Sequence, residues 1–99
     1  MTGPGHGDVA GDELERVVRR WQQLPLDRAL PAVPGVSAAV QALADAVADE
    51  QGMEPATVPD LGPGVLMDQL RVMVHDWRAA GLDEADLAAR LTALRRALP

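Results

Sequence analysis

His75 stands beside Asp76 in the run VLMDQLRVMVHDW, residues 65–77, where a base and a carboxylate adjoin inside an apolar, helix-like segment. A histidine oriented by a carboxylate is the arrangement that acid–base and nucleophilic catalysis use. The spacing argues against it here. On a helix, adjacent side chains diverge by roughly 100° and do not face each other. Asp68 and His75 lie nearly in line, but seven residues at a rise of about 1.5 Å separate them by roughly 10.5 Å, too far to share a proton or chelate unaided. A metal takes three or four ligands, and the only other histidine, His6, sits in a glycine-rich stretch. The expectation is no metal, no cofactor and a solvated His75.

The remaining reactive groups are sparse. There is no cysteine, hence no thiolate nucleophile and no disulfide. Ser37, Thr2, Thr57 and Thr92 fall in no nucleophile motif, and no glycine-rich loop follows a strand to cradle a phosphate. Catalysis is therefore not expected.

The elements that would carry these groups read as helices. Residues 1–11, with four glycines and a proline, predict a disordered tail, and residues 12–99 one helical domain. Asp12 with Glu15 suggests a capping box, after which Leu14, Val17, Val18, Trp21 and Leu24 recur at helical spacing up to Pro25. Pro25, Pro31, Pro34 and Gly35 mark a connector holding at most a single turn around residues 27–30. Val36, Val40, Leu43 and Val47 predict a second, alanine-rich helix closed by Gly52. MEPATVPDLGPG, residues 53–64, reads as a loop, followed by a third helix over about 63–80. Asp83 caps the fourth, with Leu82 placed to staple onto Leu87, and Leu87, Leu91, Leu94 and Leu98 repeat along it. No alternation of strand type appears, so the fold class is all-α, a small four-helix bundle with a flexible N-terminal tail.

On the third helix, Leu66, Met67, Leu70, Met73, Val74 and Trp77 fill one broad face. Val65 and Val72 fall on another side, between the Asp68/His75 line and the Gln69/Asp76 line. That is a narrow apolar seam rimmed by charge, suited to a protein partner or a second copy of the chain. Val65, Asp68, Val72 and His75 are the candidate partner-binding residues, and Val72→Glu is expected to turn an oligomer into a monomer. A different class of function would have Met67, Met73, Trp21 and Trp77 line a pocket for an apolar small molecule.

Charge constrains the partner. Of the net −6, residues 1–24 contribute −1, residues 25–62 contribute −5, and the rest sum to zero. RVVRRW, residues 16–21, mixes basic and aromatic types, but Trp21 is in register with the apolar stripe. WRAAGLDEADLAARL, residues 77–91, has the outline of a helix-turn-helix, which makes a DNA-binding regulator the least favoured alternative: its first recognition turn would present Asp83, Glu84 and Asp86 to phosphates, so nucleic acid is not expected. Asp60-Leu61-Gly62 in a small acidic helical chain resembles the turn before the modified serine of acyl and peptidyl carrier proteins. Pro63, Gly64 and Val65 follow instead, and the sole serine, Ser37, lies between Val36 and Ala38, so the attachment residue is missing from that turn. Absence of a leader-like or membrane-spanning pattern predicts a cytoplasmic protein. The lack of Lys, Asn, Ile, Phe and Tyr suggests a GC-rich bacterial genome.

Overall fold

The computed structural model describes residues 7–99, and among these it is all helix and connection, with no strand. Four long helices make the fold: α1 (Val9–Gln23), α2 (Val33–Glu50), α3 (Leu66–Ala79) and α4 (Glu84–Ala97). A one-turn helix, Leu26–Ala29, and a 3-10 turn, Leu30–Ala32, lead directly into α2. Leu26–Glu50 is thus a 25-residue helical run, longer than the connector expected from its prolines. Pro31 and Pro34 are tolerated because each sits in the first turn of its element, where a missing N–H costs no internal bond. By length and composition alone this run could cross a membrane, a property it shares with core helices; Val36, Val40, Leu43 and Val47 turn inward here.

The start of α1 corrects the expected tail over 1–11 and the cap at Asp12. Residues 1–6 lie outside the described residues, whereas residues 9–11 are helical. Asp8 is the cap, its carboxylate accepting from the Gly11 N–H at 2.9 Å. A Cβ on Gly11 would lie 2.2 Å from Asp8 Oδ2, so the glycine that resembles tail composition leaves room for the cap to fold over the turn. Burial of Ala10 and an ion pair from Asp8 to Arg78 hold this turn from outside the helix. Glu15 makes no capping box; it pairs with Arg71 of α3 at 2.8 Å.

The other ends match local expectation. Gly52 at φ 67° lets the Met53 N–H reach back to the Ala48 carbonyl at 2.8 Å, and Gly81 at φ 75° does the same for Leu82 and Trp77 at 3.3 Å. Asp83 caps α4 by accepting from the Asp86 N–H at 2.9 Å.

Side-chain neighbours give the directions of the helices. Residues 7–10 abut residues 84–88, and farther along Arg20 donates to the Pro99 carbonyl at 2.6 Å, so α1 and α4 run parallel. Val40 and Gln41 lie with Leu66 and Gln69, while Val47 and Ala48 lie with Met73 and Asp76, so α2 and α3 are parallel too. Parallel neighbours need a long crossover, which residues 51–65 provide. The link after α3 is short, and α4 folds back so that Arg90 lies 5.1 Å above the Trp77 ring.

One apolar cluster draws on all four helices, with Val17, Val36, Val40, Leu70, Trp77, Leu87 and Leu91 at its centre. The buried Trp77 satisfies its indole N–H on the Asp83 carbonyl at 3.0 Å, tying the core to the cap of α4. The Cα envelope is flat, 45 × 37 × 17 Å. At helix spacings of about 8–10 Å the short axis holds no more than two layers, which leaves helix faces uncovered on both sides.

Candidate functional site

A groove of about 480 Å³ lies between the C-terminal half of α2, residues 68–76 of α3 and the loop at residues 53–59. Helix α2 contributes Ala44, Val47 and Ala48, a low apolar floor because alanine keeps the helix slim. From α3 come Val72 and Met73. The loop closes the third side with Met53, Val58 and Pro59. Val72 is 52% exposed and Met53 63% exposed, an unusual placement for two large apolar side chains facing one depression. Glu54, Asp68 and Asp76 stand among the lining residues, which include no cation.

Two glutamines hold the loop in place. Gln41 on α2 accepts from the Val58 N–H at 2.8 Å and donates to the Ala56 carbonyl at 3.0 Å and to Asp45 at 2.8 Å. Gln69 on α3 donates to the Pro59 carbonyl at 2.9 Å. The loop, which carries Pro55 and Pro59 and lacks regular structure, is thus tethered to both helices at the groove wall.

Of the four candidate residues, Asp68 and Val72 line this groove together. Val65 is half-buried at the end of a 3-10 turn, Pro63–Val65, and does not line it. His75 points to solvent, its side chain 82% exposed, with Nδ1 3.4 Å from Asp76 Oδ1, a long contact consistent with the divergence of adjacent helical residues. Met73, grouped with the core face by periodicity, is only half-buried and forms part of the groove. Val47, Met53 and Val58 are groove residues that helical periodicity alone does not mark as a site. Met53, an apolar residue stranded in a proline-rich loop, was the available signal.

The four residues of the small-molecule alternative do not share a pocket. Met67 and Trp77 are buried in the core, Trp21 packs against it, and Met73 alone reaches the groove. Among the described residues no three His, Cys, Asp or Glu side chains gather as a metal site.

Elsewhere the charged groups clasp helices together. Glu13, 6% exposed, takes a two-pronged contact from Arg95 at 2.6 and 3.3 Å, and this hydrogen bonding holds its pKa below the ordinary glutamate value against the opposing effect of burial. Arg78 bridges Asp8 and Glu84, lowering the pKa of Asp8 chiefly by hydrogen bonding, and Arg71 does the same for Glu15. The matching arginines, Arg71, Arg78 and Arg95, have raised pKa values for the same reason. These pairs join α1 to α3 and α4 and have a structural role.

Comparison with known proteins finds no matching family model, curated protein or solved structure.

Proposed function

We propose that the chain is a non-enzymatic protein-interaction module, and that the groove between α2, α3 and the 53–59 loop is its docking surface. The observation that carries this is that Val72 and Met53, both exposed, line one groove with an apolar floor and with Glu54, Asp68 and Asp76 among its lining residues. Apolar lining supplies contact area, and the acidic rim selects an occupant that presents apolar side chains flanked by Lys or Arg. A cytoplasmic setting and the absence of nucleic-acid and membrane ligands belong to the same reading, supported by the cysteine-free composition and net charge of −6.

Titration with a fluorescently labelled basic amphipathic helix, alongside an acidic helix of the same apolar pattern, tests it. The basic peptide is expected to bind saturably and to lose affinity in high salt, and Val72→Arg is expected to abolish binding. Equal binding of both peptides, or none, removes the groove as a cation-selective docking site. A second reading, a small apolar ligand, is favoured by the groove volume of about 480 Å³, which falls within the usual range of ligand pockets. A saturable signal from an uncharged fluorescent lipid probe, with none from the peptide, would select it.

A further inference from the structure

We propose that the groove receives a second copy of this chain, by way of a leucine knob at the other end of the Leu26–Glu50 run. The proposal rests on the docking role of the groove given above. Leu26 is 67% exposed and Leu30 48% exposed. They lie four residues apart, so they project from the same side of the single turn between Pro25 and Pro31. That turn is firmly held: the N–H groups of Arg28 and Ala29 both bond to the Pro25 carbonyl at 2.9 Å, and the Ala29 side chain is buried. Two aliphatic side chains are therefore presented on a fixed support, which lowers the entropy lost on docking.

The surroundings of the knob are basic where those of the groove are acidic. Arg16, Arg19, Arg20 and Arg95 line one cleft beside the end of α1, where Arg16 and Arg95 share the single carboxylate of Glu13 and Arg20 bonds the Pro99 carbonyl, so the cleft keeps a positive excess; Arg28 is exposed within the knob itself, and Asp27 is the one carboxylate in the turn. In a chain of net charge −6 this concentration of cations at one end is a strong asymmetry, and it complements Glu54, Asp68 and Asp76 at the other. Six large apolar residues are exposed among the described residues. Leu26 and Leu30 form the knob and Met53 and Val72 stand in the groove, so burying one surface on the other covers four of the six.

Within one molecule the two surfaces cannot meet. Leu26 and Val47 are 21 positions apart on the same helical run, roughly 30 Å at about 1.5 Å per residue. Contact must then be between copies, head to tail. Such a heterologous contact leaves a free knob at one end and a free groove at the other, so it extends into chains or closes into rings.

Sedimentation velocity on three proteins decides the matter. The wild-type chain is expected to gain mass with concentration and to lose it in high salt. Leu26→Asp combined with Leu30→Asp removes the knob and keeps the groove; Val72→Arg removes the groove and keeps the knob. Each alone is expected to remain at the monomer mass of 10.5 kDa, with a helical circular dichroism spectrum. An equimolar mixture is expected to form a species of twice that mass that does not grow further, because only one competent knob–groove pair exists. A wild-type chain that stays monomeric at millimolar concentration, or an associating wild type whose two variants fail to pair when mixed, overturns the proposal. The groove reading is separable: the Leu26→Asp/Leu30→Asp protein must still bind the basic peptide, whatever the wild-type mass.

Discussion

The side-chain carbonyl of Gln41 accepts the Val58 N–H at 2.8 Å while its amide donates to the Ala56 carbonyl at 3.0 Å, so one residue of α2 grips the loop at two backbone points. A partly buried backbone donor left without a partner is costly, and here the loss would fall on the wall of the groove. Gln41→Ala is expected to lower stability by about 1–2 kcal/mol. Faster hydrogen exchange at the Val58 amide and weaker binding of the basic peptide should accompany it. Unaltered exchange would show that the loop is held by Gln69 and by packing of Val58 alone.

Val72 and His75 offer a contrast on the same helix. Both are exposed, so neither substitution should shift stability by more than about 0.5 kcal/mol. Val72→Arg is expected to abolish peptide binding, since it sets a cation in the apolar groove against cationic ligands. His75→Ala, outside the groove, is expected to leave binding unchanged. Urea denaturation and anisotropy titration of the pair would check this, and a loss of binding in His75→Ala would enlarge the site beyond the groove.

Glu13 and Arg95 carry a pH dependence with a definite sign. The glutamate pKa is lower in the folded state than its ordinary value of 4.5, so its contribution to stability is fully present above that value. It fades as pH falls through the lowered, folded-state value. Asp8 and Glu15 act in the same direction. Urea midpoints are expected to be level from about pH 8 to pH 5 and to fall in more acid solution. Glu13→Gln is expected to cost about 1 kcal/mol at neutral pH and to flatten the acid limb. An acid limb of the same steepness in the variant would assign the effect to the other carboxylates.

Trp77 joins the core to the cap of α4 through its indole N–H and lies under Arg90. Trp77→Phe keeps much of the apolar volume but leaves the Asp83 carbonyl without this donor. It is expected to cost about 2 kcal/mol, and Trp77→Ala about 3–5 kcal/mol. Thermal unfolding followed at 222 nm, an observable independent of tryptophan emission, measures both. A shift in Trp77→Phe as large as in Trp77→Ala would mean that the hydrogen bond, rather than ring packing, holds this corner.

Helix positions were readable because periodicity, caps and breakers act within a few residues of one another. Leu87, Leu91 and Leu94 are buried as their spacing requires, Asp83 caps where its acidic first turn implies, and Gly52 and Gly81 stop helices by backbone freedom that only glycine has without strain. The divergence of His75 from Asp76 follows equally from helical geometry.

What tertiary structure decided is which distant residues meet. The cap moved from Asp12 to Asp8 because Arg78, seventy positions away, pairs with that carboxylate, and Glu15 was drawn from its capping box to Arg71. Val72 was visible as an apolar residue on the wrong side of α3, but its groove needed the parallel placement of α2 and a loop fastened by Gln41. Local sequence sets backbone preference over a turn or two; a groove is made by chain segments whose proximity depends on the packing of the whole core.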